Sequence, residues 1–268
     1  MHLTLPESPN YASGDVLGAG TEGEVRRGVC LRTGNAVAIK RLFGRRGHAF
    51  YQELSILTRL QHPNVVRLMD FHEDGASRFL VYEFCAGGSL LDRLHSGEEL
   101  TLAGFLSLGQ QVGGGLAAIH AIGACHGDIK PANVLLDTAG DAPRWKIADF
   151  GVALDGNRPA TRLGYTPRYA APERHEGRLF PESDIYALGA TLGDCLFKMD
   201  SEDNGPLAGV RRELELFLSA MMSPLPGDRP TLGAVLEEFW RLDAQRLITL
   251  FGDALGDAEP ISLGGFAG

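Results

Sequence analysis

The periodicity of the chain changes near residue 85, and that change restricts the possible folds more than any other feature. Before it, short β-branched runs with turn punctuation predict strands over residues 14–29, 36–41, 65–71 and 78–84. One helical pattern interrupts them at 49–60, where Phe50, Leu54, Leu57 and Leu60 recur on one face and His62-Pro63 ends the run. Beyond Gly87-Gly88 the helical period takes over, at 89–95, 101–122, 183–199, 213–222 and 231 to about 255. The chain therefore reads as α+β and bilobal, a small antiparallel β-sheet lobe with one main helix followed by a mainly α-helical lobe. On this reading residues 1–10 are an N-terminal extension, 11–84 the first lobe, 85–88 a joint, 89–255 the second lobe and 256–268 a mobile tail.

Composition narrows the function. With 25 basic and 34 acidic side chains the formal charge is −9, which argues against nucleic acid or an anionic membrane as a partner. No basic-flanked leader and no apolar run of about 18 residues stands out, so a cytoplasmic location is expected. Cys30, Cys85, Cys125 and Cys195 are spaced for neither a zinc ribbon nor a small disulfide framework and read as reduced, structural thiols. Glycine numbers 35 of 268 residues, roughly twice the usual share, with no repeat to collect it.

Three segments carry chemistry. Gly18-Ala19-Gly20-Thr21-Glu22-Gly23-Glu24-Val25 reads G-x-G-x-x-G-x-V, a pattern whose backbone can close over phosphates. The same glycines open dinucleotide folds, but those need a helix directly afterwards, and 25–29 reads as strand. Lys40 closes the apolar run Val37-Ala38-Ile39; taken alone it reads as a solvated strand end. Glu53, between Phe50 and Leu57 on the helix, can point back to meet it. The segment from His126 to Leu136 then sets Asp128, Lys130 and Asn133 on one loop, and Asp149-Phe150-Gly151 follows a short strand. A base, a cation and oxygen ligands for a hard metal are what phosphoryl transfer requires, because its catalysis is mostly positioning and charge stabilisation.

Taken in order with Ala171-Pro172-Glu173, these motifs resemble the eukaryotic-type (Hanks-type) serine/threonine protein kinase family over roughly residues 11–255. The resemblance implies ATP with Mg²⁺ (or Mn²⁺) and a protein substrate. It places Gly18, Ala19, Gly20, Gly23, Val25, Ala38 and Leu135 around the nucleotide, with Glu83 and Cys85 on the hinge and Tyr82 guarding the back of the pocket. Lys40, oriented by Glu53, would hold phosphates; Asn133 and Asp149 would bind the metal; Asp128 would accept the hydroxyl proton and Lys130 steady the phosphoryl group. Leu57, Leu68, His126 and Phe150 resemble an apolar stack between the lobes, Glu173 is expected to pair with Arg229, and Asp184 to accept from the catalytic-loop backbone.

Several positions depart from the pattern. Gly127 stands where many such kinases carry arginine, a non-RD variant, which implies activity that does not strictly need a phosphorylated activation segment; Thr161 is the one obvious candidate there. His-Gly-Asp also resembles aminoglycoside and choline phosphotransferases, the main alternative, and a pseudokinase binding module is a lesser one. Lys130, Thr166 and the Ala-Pro-Glu element favour a protein substrate. Glu22 replaces a common aromatic at the loop tip and is expected to face water. The stretch between Met199 and Arg211 is short for a docking helix, and Ser89 and Ala132 replace acidic residues of arginine-directed kinases, although Asp194 keeps one. Leu232, Val235, Leu236, Phe239, Trp240, Leu242, Leu247, Ile248 and Phe251 should mostly pack on the second lobe, with the later turns free for a homodimer or partner-domain contact. Gly113-Gly114-Gly115 should weaken the helix that contains them.

Overall fold

A computed structural model describes residues 3–4, 10–20, 23–43, 48–74, 77–98, 100–155, 165–199 and 207–256. Thr161 and Glu22 lie outside them. In the first lobe, strands β1 (Leu3–Thr4), β2 (Tyr11–Ala19), β3 (Gly23–Cys30), β4 (Ala36–Leu42), β5 (Leu68–Asp74) and β6 (Ser77–Glu83) form one antiparallel sheet in the order β1-β2-β3-β4-β6-β5. The expected strand over 65–71 begins three residues late. Val65 instead makes an isolated bridge to Ile147 of the second lobe, and Val66 donates its N–H to the Ile147 carbonyl, so apolar residues that read as strand stitch the two lobes together.

Period-two alternation on β4 decides what faces the cleft. Val37 and Ile39 are buried with Phe79, Val81 and Cys30 on the outer face of the sheet. Ala38 and Lys40 point the other way, opposite Tyr82 and Leu80 of β6 in the register. Helix α1 (His48–Leu57) packs on that inner side through Phe50, Ile56 and Leu57, with Glu53 fully buried among them. A carboxylate at the centre of a buried helical face needs a cationic partner, and the strand supplies Lys40.

The second lobe is built round α3 (Leu102–Ala121), with α2 (Leu90–Ser96), α4 (Pro181–Lys198), α5 (Ala208–Met221) and α6 (Leu232–Gly256) around it. Ser89 caps α2 in a reciprocal pair with Asp92, and Thr101 caps α3 by accepting from the Gly104 N–H. By length and composition α3 could cross a membrane, a property not singled out from the sequence; here Phe105, Leu106, Leu108, Leu116 and Ile119 bury it in the lobe core.

The glycine run does not break α3. A Cβ on Gly115 would sit 2.7 Å from the Asn64 carbonyl and 2.9 Å from Ile147 Cδ1, and one on Gly109 would sit 2.6 Å from the Phe239 ring. These glycines admit close neighbours, and the tertiary contacts offset their low helix propensity. On α6 the apolar stripe is only half used. Val235, Phe239 and Leu242 are buried, but Trp240, between two of them, turns to the opposite face and is exposed, and Leu247 and Ile248 beyond Leu242 are exposed as well.

Candidate active site

The cleft between the lobes collects residues from six separate segments. Gly18 and Gly20 lie at the hairpin between β2 and β3, where an added Cβ would meet nothing within 4 Å, while Gly20 N–H donates to the Gly23 carbonyl at 2.8 Å. Gly23 is required for a different reason: a Cβ there would strike the Arg41 carbonyl on β4. Val25, Ala38 and Leu135 are partly exposed on the cleft walls. Cys85 is buried at the joint, and burial pushes its thiol up to about 12. The Glu83 side chain is not free: its carboxylate accepts from Lys146 Nζ at 2.7 Å and from the Arg67 N–H at 2.8 Å.

Lys40 Nζ donates to Glu53 Oε2 at 2.8 Å and to Asp149 Oδ1 at 2.7 Å. Burial alone would disfavour the ammonium, but attraction from Glu53 and Asp149 outweighs it and raises its pKa. The same attraction from Lys40 outweighs the partial desolvation of Asp149 in the cleft and holds that carboxyl below the ordinary range. Asp149 is the only non-glycine residue with positive φ among the described residues, at 65°. That conformation, which aspartate tolerates better than most residues, turns the carboxylate to Lys40 and buries Phe150 edge-on to His126, ring centroids 5.0 Å apart. Leu57 is buried in the same core and Leu68 packs against it.

The catalytic-loop candidates converge on Asp128. Lys130 Nζ donates to its Oδ2 at 2.5 Å, Asn133 Nδ2 to its backbone carbonyl at 2.9 Å, and the Thr166 hydroxyl and N–H to Oδ1 at 3.1 and 3.2 Å. Lys130 also donates to Thr166 Oγ1 at 2.9 Å. The loop's shape is imposed from below. Asp184, fully buried, accepts from the His126 and Gly127 N–H groups at 2.8 and 2.7 Å, and the positive φ of Gly127, 79°, brings the second amide round to it. His126 Nδ1 accepts from the Asp128 N–H and its Nε2 faces the Ala148 carbonyl, so both ring nitrogens are engaged. Glu173 and Arg229 form a buried bidentate pair, at 2.7 and 2.8 Å.

Some of the site was not foreseen. His120, on the last turn of α3, shares Asp184 at 2.9 Å; Lys146 bridges Glu83 and Asp137; Arg174 lies buried beside Gly127. A buried polar residue without a motif gives no signal until the chain is folded. Asp194, expected to face substrate, is held by Arg168 and by the Tyr169 hydroxyl at 2.6 and 2.8 Å.

A fixed ammonium and a set of oxygen donors, facing each other across a cleft between a sheet lobe and a helical lobe, define the kinase-like bilobal class. The sequence pattern of the protein kinase domain matches residues 11–241, and the chain belongs to that family. It is 38% identical over 232 residues to the serine/threonine-protein kinase pkn2 of Myxococcus xanthus, covering 81% of this chain and 27% of that protein. It is 31% identical over 266 residues to the probable serine/threonine-protein kinase MARK-C of Dictyostelium discoideum, covering 89% and 34%. Identity to the probable serine/threonine-protein kinase PBL28 of Arabidopsis thaliana is 38% over 209 residues, covering 70% and 54%. The chain thus spans about a quarter to a half of the length of these relatives.

Proposed function

We propose that this chain transfers the γ-phosphate of ATP to serine and threonine hydroxyls of protein substrates. The observation that carries this reading is the set of contacts round Asp128: a carboxylate fixed by Lys130 and Asn133 already accepts a hydroxyl, that of Thr166, at 3.1 Å. An incoming aliphatic hydroxyl would replace it there, lose its proton to Asp128, and find the Lys130 ammonium beside the transferring group. Lys40, anchored by Glu53, would hold the α- and β-phosphates under the backbone of Gly18, Ala19, Gly20 and Gly23, with Val25, Ala38 and Leu135 on the base and the hinge backbone at Glu83 and Cys85 on its polar edge.

Asp149, with its side chain 49% exposed, and the amide oxygen of Asn133, whose Nδ2 is spent on Asp128, make an all-oxygen donor set that fits Mg²⁺. Such an ion, when bound, offsets phosphate charge. Gly127 offers no side-chain cation to the segment between Asp149 and Glu173, so turnover is not expected to depend on a phosphate there, and Thr161→Ala should keep most activity. The experiment is labelled ATP and Mg²⁺ with wild type and Asp128→Asn, offered generic proteins and an aminoglycoside panel in parallel. Label on protein, lost in the variant, is the expected result; label on small molecules alone would overturn the reading.

A further inference from the structure

Beneath the catalytic loop lies a cavity of about 10 Å³, lined by Gly127, Asp128, Tyr165, Thr166, Arg174 and Leu179 among others, room for about one water. Arg174 is 3% exposed. Its Nε and Nη2 have no hydrogen-bond partner among the described residues, and its guanidinium lies over the Tyr165 ring, 5.5 Å from the centroid. It forms no ion pair within 4.0 Å among those residues, yet Asp184 and Asp128 both act on its charge from further off. Burial of an unpaired guanidinium is costly; a methionine of similar length would fill the space without that cost.

The neighbours show what such a charge can do. Gly127 brings no side chain to this space. Tyr165, under the guanidinium, is also held by His175 at 2.9 Å and leads directly into Thr166, whose N–H and hydroxyl fix Asp128 Oδ1. Glu173, next to Arg174, is locked to Arg229, so the backbone that carries the cation is anchored by a buried ion pair.

We propose that Arg174 is a positioning residue, a buried cation that holds the Tyr165–Thr166 segment and the Asp128 carboxylate in register without any added phosphate. This rests on the kinase reading above. It acts through Tyr165 and through space, and touches no reacting atom.

The test compares wild type, Arg174→Met and Arg174→Lys by urea denaturation, by steady-state kinetics with ATP and a protein substrate, and by hydrogen exchange at the Gly127 and Thr166 amides. Arg174→Met should be as stable as wild type or more so, while kcat falls about tenfold or more, KM for ATP stays within about twofold and both amides exchange faster. Arg174→Lys, which keeps the charge, should recover most of kcat. A methionine variant with wild-type kcat and protection would overturn the proposal. So would one whose activity falls only in proportion to its folded fraction, since that is a packing role. If wild type labels no protein, the kinase reading fails, and unchanged protection in Arg174→Met would still refute the role of Arg174 by itself.

Discussion

The Tyr82 phenol donates to Oε1 of Glu53 at 2.5 Å, so the carboxylate that orients Lys40 is held from two sides. Both residues are buried. Burial first, then the Glu53 charge, pushes the phenol pKa well up, which keeps Tyr82 a donor. Tyr82→Phe removes one charge-assisted hydrogen bond and should cost about 1.5–3 kcal/mol of stability. Urea denaturation measures that loss, and kcat/KM for ATP should fall with it because Glu53 is freer to move off Lys40.

Glu173 and Arg229 make the opposite kind of test. Arg229 donates to both oxygens of Glu173, to the Glu182 carbonyl and to the Ser223 carbonyl. Removing one partner alone, as in Arg229→Met, leaves a buried charge and should cost about 3–5 kcal/mol. The double variant Glu173→Met/Arg229→Met should cost clearly less than the sum of the singles, which a double-mutant cycle on denaturation midpoints would show.

Adjacent glycines of α3 should respond with opposite signs. At Gly114 an added Cβ meets only His62 and Asn64 atoms at 3.7 and 3.9 Å, so Gly114→Ala should stabilise by up to about 1 kcal/mol through helix propensity. At Gly115 the same methyl meets the Asn64 backbone carbonyl at 2.7 Å, and Gly115→Ala should destabilise by about 1–3 kcal/mol. Thermal melts of the two variants decide it.

Acid stability has a defined direction. Burial alone would raise the Asp184 pKa, but hydrogen bonding and attraction from His120, with the Gly127 amide, hold it below the ordinary range. At Glu173, burial is likewise outweighed by hydrogen bonds from Arg229 and Ser183. Depressed folded-state values mean that these groups stabilise the fold fully above the unfolded carboxylate pKa of about 4 and lose that contribution as pH falls through the folded values. The urea midpoint should hold near neutrality and drop on acidification below about pH 4. Asp184→Asn should start lower at pH 7 and fall less steeply.

Much of the site was legible because its chemistry lies in ordered motifs. Lys40 and Glu53 could be paired from the sequence, since strand alternation and helical spacing each fix one face. Val65 and Val66 were misplaced on a strand, since an apolar run looks the same whether it pairs within a sheet or bridges two lobes. Trp240, Leu247 and Ile248 look like core by spacing alone; in the fold Trp240 faces away from buried Phe239 and Leu242, and Leu247 and Ile248 lie beyond them.

The sequence by itself determined the two-lobed order of elements and the residue types in the cleft, because periodicity and motif spacing are local properties. Only the tertiary structure decided what those residues meet. It set Tyr82 on Glu53, Asn64 against Gly115, and Arg174, with no ion pair among the described residues, beside Gly127. Those contacts join residues distant along the chain, and burial, which gives each of them its energetic weight, exists only once the lobes have closed.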